Sequence, residues 1–329
     1  MKIYIDYKFT SNPWGGGNQF LKALRKELIK FKKYTDFIKN ANTIIVNSHH
    51  FSFKLFLYYL IKSELKIIHR IDGPISLTRN EKFSNIDKLI YSFSKHFSDG
   101  VIFQSKWSKN KNYKLGFKNK IRNIVINNAP DKNIFKKQKN LKKNLKIKII
   151  SSSWSSNIKK GFKYLKYLDE NLNFNKFEIT FIGNSPYKFK NIKVSKAVKS
   201  KTLARILNKN NFFLTASQND PCSNSLLEAL HCGLYPIYLS SGGHNELVKN
   251  QGIKFINKKD LLNKIKSIKK SKNYSINKNL LVDISKVKNK YLNFIKRTSI
   301  DKPNFIFRFY NIVKFIFNLY LVKITNWLI

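Results

Sequence analysis

Residues 219–248 read NDPCSNSLLEALHCGLYPIYLSSGGHNELV, and the rest of the chain is organised around this stretch. Asp220 suits a helix N-cap, Pro221 a first helical position and Gly233 the position just past a helix C-terminus, so the local signals predict one helix over residues 221–232. Its first turn carries Ser223, Asn224 and Ser225. Small polar residues at a helix start leave backbone N–H groups and the positive end of the dipole open to phosphate. Glu228 follows Asp220 by eight residues, roughly 12 Å along a helix axis at about 1.5 Å per residue. At that separation two carboxylates straddle a diphosphate, one on a sugar and the other on a ribose. Beyond the helix, YPIYL predicts a strand and SSGGHNE a glycine turn that opens another helix.

Asp220 and Glu228 in an acid-x7-acid frame, then LEAL-x-CG-x-x-P and S-x-GG-x-x-E, resemble the signature of family 4-type retaining glycosyltransferases of GT-B fold. The resemblance implies an α/β chain of two doubly wound Rossmann-like domains with a cleft between them. It also implies a nucleotide diphosphate sugar as co-substrate, with no other cofactor and no metal. By position, Glu228 would anchor the ribose and Asp220 would orient the sugar; Asn224 and Ser225 would face the diphosphate, and the backbone at Gly242 and Gly243 the sugar and phosphate end of the donor. The family's first acid is usually Glu, whereas this chain has Asp220, one methylene shorter. A plain reading stands beside this one: Asp220 as an N-cap, with Glu228 and Glu246 as solvated helix acids.

Composition bounds the problem. A chain of 329 residues with 42% hydrophobic content is long enough for two domains with real cores. Cys222 and Cys232 fall at opposite ends of the predicted helix, too far apart to bridge, so neither a disulfide framework nor a zinc site is expected and a reducing, cytoplasmic setting is. Residues 1–7 are too short and too charged for a signal peptide's apolar region. The net charge of +46 calls for a polyanion, an anionic membrane or a phosphorylated substrate, or reflects a nucleotide bias of the source. Only seven of the 64 basic residues are Arg. Base and phosphate readers favour the Arg fork, so the charge predicts diffuse attraction and no sequence-specific nucleic acid.

Working outward, residues 2–7 predict a first strand, followed by SNPWGGGNQF and a helix with Phe20, Leu24, Leu28 and Phe31 on one face. Gly15, Gly16 and Gly17 match the family's glycine loop facing the cleft; alone they are a loop that needs backbone freedom. Further strands are expected at 43–46, 66–71, 100–104 and 123–126. Two of these end in polar residues, NSHH at 47–50 and HRIDGP at 69–74, where ligands of a doubly wound sheet bind. The family places a His after such a strand close to the donor sugar; His69 matches it best, ahead of His49 and His50, with Asp72 on the same loop.

DKNIFKKQKNLKKN at 131–144 carries six lysines and reads as an interdomain linker. A second set of strands is expected at 145–150, 177–182, 212–215, 235–239 and 253–256. In SSSWSSNIKKGF the pair Lys160-Gly161 matches the family's Lys-Gly, which puts a compact positive charge on the diphosphate. The family's Arg in that loop has no counterpart: Trp154 and Ser155 occupy its place, and Lys159 is the candidate to compensate. Gly183 in FIGNSP resembles the family's glycine turn near the base, or is an ordinary turn. The domain reading is 1–135 on the acceptor side, 145–275 for the nucleotide sugar, a helical return at 276–301, and a basic amphipathic helix at 302–329.

That last segment, KPNFIFRFYNIVKFIFNLYLVKITNWLI, places Arg308, Asn311, Lys314, Asn318 and Asn326 on one side of a helix and Phe305, Phe309, Ile312, Ile316, Leu319 and Trp327 on the rest. Charges interrupt it too often for a span of about 20 residues. It either packs on the domains as a terminal helix or lies in an anionic membrane interface, the reading favoured here, at the inner face of the membrane. The functional expectation is sugar transfer to a glycan or lipid-linked acceptor. Asp-x-Asp is missing from the sequence, which argues against a metal-bridged diphosphate. The alternatives are phosphorylase-like or epimerase-like chemistry on the same scaffold, or a non-enzymatic protein that binds RNA or membrane polyanions.

Overall fold

The computed structural model describes residues 1–12, 15–118, 120–138, 146–269 and 271–327. The chain divides into two compact units, one drawn from residues 1–9, 24–127 and 285–329, the other from 10–23 and 128–284. These units differ from the expected ranges: segment 10–23 belongs with the second unit, and the chain after residue 285 returns to the first.

In chain order the first part runs β1 (Ile3–Asp6), α1 (Gly16–Lys30), β2 (Thr43–Asn47), α2 (Phe53–Ile61), β3 (Lys66–Ile71), α3 (Ile75–Thr78), α4 (Ser84–Phe97), β4 (Gly100–Phe103), α5 (Lys106–Lys114) and β5 (Asn123–Val125). Its strands are continuous apolar runs such as TIIV and GVIF, the composition of a parallel sheet covered on both faces. All pair in parallel in the order β1-β2-β3-β4-β5, so this sheet has no reversal of strand order. Ile44, Val46 and Ile67 share a core with Leu55, Phe56, Leu89, Phe93 and Phe97 of α2 and α4. His69 lies in β3 opposite Val46 and Val101 and is fully buried.

The second part runs β6 (Ile147–Ser153), α6 (Phe162–Asn171), β7 (Phe177–Gly183), β8 (Lys193–Ser195), α7 (Ser200–Leu207), β9 (Phe212–Thr215), α8 (Asn224–His231), β10 (Tyr235–Leu239), α9 (His244–Val248), β11 (Ile253–Phe255) and α10 (Lys258–Lys266). The ten expected strands all form. β8 was not expected, because its Lys-Val-Ser is a short exposed edge with no apolar alternation. This sheet, also all parallel, is ordered β11-β10-β9-β6-β7-β8. Alternate side chains feed two cores: Ile149, Phe212, Leu214 and Ile237 pack with α6 and α10, and Ile150, Phe213 and Tyr238 with α7, α8 and α9. Helices on both faces make this half doubly wound. Of the expected linker, Phe135 is buried in the second of these cores, and positions 139–144 lie outside the described residues, as does Leu145. The chain ends with α11 (Ile284–Arg297) and α12 (Phe305–Trp327).

His69 shows what burial does to a titratable ring. Nε2 lies 2.8 Å from the Ser48 carbonyl oxygen and so carries the proton, leaving Nδ1, 2.7 Å from Ser94 Oγ, to accept. Burial drives its pKa down to about 4. An unfolded chain takes up this proton near the ordinary value of about 6.5, so stability present above that pH is lost as pH falls toward 4. The acid limb of a melting-temperature profile between pH 6.5 and 4 is therefore expected to be steeper in the native chain than in His69→Gln, and identical limbs would show that His69 does not titrate with folding.

Candidate functional site

The strand order of the second sheet reverses between β6 and β9. Loops that leave the carboxyl ends of neighbouring strands at such a reversal diverge to opposite faces and open a crevice where ligands bind. The loop after β6 supplies Lys160 and the loop after β9 supplies Asp220, and Lys160 Nζ donates to Asp220 Oδ2 at 3.0 Å. Backbone bonds hold the loops in register: Gln218 N donates to Lys159 O at 2.7 Å, and Asn219 N to Ser241 Oγ at 2.9 Å. Gly161, at φ +84°, stands so close to the Ala216 carbonyl that no side chain fits, and Gly242, at φ +63°, lies in the same way on the Asp220 backbone. Gly243 N donates to Asp220 O at 2.8 Å. The structure thus brings Lys160, Gly161, Asp220, Gly242 and Gly243 to one place.

The helix expected over 221–232 begins later, at Asn224, with Ser223 as N-cap accepting from Leu226 N. Asp220 is not its cap. Its Oδ1 accepts from Cys222 N at 3.3 Å and its Oδ2 faces Lys160, so the acid closes a turn ahead of the helix. The separation estimated along a helix axis therefore does not apply to Asp220 and Glu228. Cys222 and Cys232 are buried thiols outside any disulfide. Burial acts to raise the Asp220 carboxyl, but Lys160, then His244, and the hydrogen bonds carry it below its ordinary value. His244 is a site residue that the sequence reading passed over. It is fully buried in α9, its Nδ1 lies 2.9 Å from Leu239 O, and its Nε2 has no hydrogen-bond partner among the described residues. Burial lowers its pKa and the Asp220 charge partly restores it. Its only sequence signal was a histidine directly after the glycine pair.

Glu228 is buried on α8, not solvated, and burial alone pushes its carboxyl up to about 8. At the start of α8, Ser223 takes up Leu226 N and Leu227 N, leaving the N–H groups of Asn224 and Ser225 with no protein acceptor among the described residues. Asn224 Oδ1 accepts from Asn128 Nδ2 at 3.1 Å, and a Cβ on Gly16 would stand 2.6 Å from Asn224 Nδ2. Of the three loop glycines Gly16 is the one packed against this helix, whereas a Cβ on Gly17 would meet nothing and one on Gly15 only the edge of Trp154. Gly183 ends β7, where Asn184 N donates to Ser153 O at 3.1 Å. A separate cavity of about 380 Å³ in the same unit lies between residues 11–22 and α7. Four cations line it, Lys22, Lys199, Lys201 and Arg205, without an acid.

The first unit presents different histidines from the expected one. With both nitrogens bonded, the His69 ring has none open to a sugar. His50 instead is exposed past the end of β2, edge-on to Tyr7 and stacked on His49 at 4.5 Å. Burial lowers the pKa of His50 while Asp72 and Asp6 oppose it. His49 Nδ1 is buried without a partner, and Ser48 holds the left-handed φ of +51° that turns the two rings. Asp72 accepts from Arg70 Nη1 at 3.0 Å. Among the described residues no group of three His, Cys, Asp or Glu side chains is placed to hold a metal ion.

Two parallel α/β sheets with these crossovers define a GT-B fold. Solved structures share it at low identity. Anabaena HepE, in complex with UDP and glucose, aligns with a TM-score of 0.68 at 14% identity, covering 90% of this chain and 100% of that one. The catalytic domain of starch synthase IV from Arabidopsis thaliana, bound to ADP and acarbose, gives 0.58 at 13% identity over 87% and 78%. Sucrose-phosphate synthase from Thermosynechococcus elongatus gives 0.55 at 13% over 86% and 74%. No family model matches the chain. No curated protein matches it either.

The raised Glu228 carboxyl has a measurable sign. The folded chain keeps that proton up to about pH 8, whereas the unfolded chain releases it near its ordinary value of about 4.3, so stability declines as pH climbs through this window. Glu228→Gln should melt like the native chain near pH 5 and several degrees higher near pH 8. A constant difference across the window would mean that the carboxyl is not held neutral.

Proposed function

We propose that this chain is a glycosyltransferase that moves a hexosyl group from a nucleotide diphosphate sugar to an acceptor hydroxyl, with retention at the anomeric carbon and without a metal. The observation that carries the reading is the Lys160–Asp220 pair at the strand-order reversal, four residues ahead of the first turn of α8. The UDP and ADP bound in HepE and in starch synthase IV support a nucleoside diphosphate as the donor's carrier.

In the proposed reaction the bond between the anomeric carbon and the diphosphate oxygen breaks, and the acceptor oxygen bonds to that carbon as its proton leaves toward the departing phosphate. Negative charge collects on the diphosphate. Lys160 Nζ and the open N–H groups of Asn224 and Ser225 are the donors for that charge, fixed before the donor arrives. Asp220 holds the lysine in position in the free protein and takes the sugar's hydroxyls in the complex. Glu228 accepts from the ribose hydroxyls, which replaces part of the solvation its burial removed. Gly183 lets the nucleotide base approach the end of β7. His50 takes the role that the family resemblance gave to His69, because it is the exposed ring. A glycan or lipid-linked acceptor, in the synthesis of a surface polysaccharide or glycolipid, suits a basic protein of this kind.

A thermal-shift panel of UDP, GDP, ADP, TDP and their sugars tests the donor class, since a ligand that binds only the folded chain raises its melting temperature. One nucleotide is expected to stand out, and Lys160→Ala to weaken it by about tenfold or more. Asp220→Asn and Glu228→Gln should cut turnover on the order of 100-fold while the fold persists; full activity in both would remove the reading. His50→Ala should lower turnover at unchanged melting temperature, with the opposite pattern for His69→Gln. Turnover should persist in EDTA, and loss restored by Mg²⁺ would count against the metal-free mechanism.

A further inference from the structure

Helix α12 is mounted the opposite way to an ordinary surface helix. Arg308, Ile312 and Phe315 are buried within the first unit, to which the helix belongs. Arg308 Nη1 donates to Tyr59 O at 3.2 Å, and the Phe315 ring sits among Phe51, Phe56, Phe93 and Phe97 with centroids 5.2–5.7 Å away. Asn311 and Asn318 also lie on this half-buried side. Much of the polar stripe thus faces the protein, and the wide apolar side faces out. Ile306 is 76% exposed, Phe317 62% and Tyr320 63%, with Phe309 and Val313 between them at helical spacing.

The neighbouring α2, which packs on α12, continues this surface. Its Phe53, Leu57 and Ile61, spaced i, i+4, i+8, are 77%, 54% and 58% exposed, while Leu55, Phe56 and Tyr59 fill the core. Soluble monomers rarely leave so large an apolar face in water. Lysines predominate around it: Lys54, Lys95, Lys314 and Lys323 are exposed, residues 302–329 contain no acid, and the exposed acids Glu64 and Asp301 come just after α2 and just before α12. Lys95 and Lys314 both bear on His96 and act, after burial, to lower its pKa, so these two cations share one side of the patch.

We propose that α2 and α12 together form a docking surface for an anionic lipid bilayer, with α12 lying in the plane of the interface. A second copy of the chain would bring the same lysines against each other, whereas anionic headgroups complement them. The segment Phe305–Ile324 is long enough to cross a bilayer, with mean hydropathy 1.4. Crossing would pull Arg308 away from Tyr59 into hydrocarbon and empty the aromatic cluster around Phe315, so the helix lies on the membrane and does not span it. The surface is independent of the donor chemistry proposed above.

The test uses the full chain and sedimentation with phosphatidylglycerol/phosphatidylcholine vesicles beside pure phosphatidylcholine. The native chain should sediment with the anionic vesicles and less with the neutral ones. F309E/F317E, and separately F53E/L57E, should each lose about tenfold or more in partitioning at unchanged melting temperature and unchanged nucleotide thermal shift. If the α12 pair fails to fold, the α2 pair decides. Native-like sedimentation of a folded variant overturns the proposal, as does a native chain that stays in the supernatant. A dimer that the same substitutions disperse, without vesicle binding, overturns it in favour of a second copy.

Discussion

The contact that ties together the loops at the second sheet's strand-order reversal is the ion pair between Lys160 and Asp220. The two residues lie 60 positions apart in sequence and meet only because β6 and β9 are neighbours in the sheet, with their loops leaving from the same edge. Gly161, in the loop after β6, and Gly242, in the turn after β10, both stand against the backbone of the loop after β9, too close to Ala216 and Asp220 for a side chain. A shielded ion pair of this kind adds little to stability, since desolvation offsets the attraction. Its value is positional: it keeps a cation and an acid together at the crevice before any ligand is present.

Buried ionisable groups are completed by the fold to different degrees. His69 has a partner for each ring nitrogen and settles as a neutral core residue. Glu228 is pushed up by burial with no charge to oppose it, and His244 keeps one buried nitrogen without a partner. Groups left in that state are costly to a fold unless a ligand completes them. His244 bears on Asp220, so its open nitrogen lies at the crevice.

The large positive charge has a local meaning as well as a global one. Spread over a surface, charge of one sign attracts anions at long range. Around α2 and α12 it borders an apolar face, and the combination of lysines with exposed Phe, Ile and Leu favours an interface where water meets hydrocarbon. The basic cavity beside α7 is a second concentration of the same charge, on the unit that carries Lys160.

The fold class was legible in the sequence because parallel strands buried on both faces leave continuous apolar runs, and TIIV, GVIF, FFLT and YPIYL all became strands. The family resemblance around residues 219–248 pointed to Asp220, Glu228, Gly242 and Gly243, and its Lys-Gly match to Lys160; the structure brings Lys160, Asp220, Gly242 and Gly243 together. What it could not give was placement. Asp220 looked like a helix cap until the lysine across the sheet claimed it. His69 looked available until Ser48 and Ser94, distant in sequence, closed around it. The amphipathic pattern of residues 305–327 was visible, but not which side faced in, since a hydrophobic period records that two faces differ and says nothing of what each will meet. That was decided by the aromatic pocket of α2 and α4, which takes Phe315 and leaves the broader apolar face outside. Periodicity and local chemistry act over a few residues and are written in the chain; burial and orientation depend on what other segments bring, and only the tertiary structure settles them.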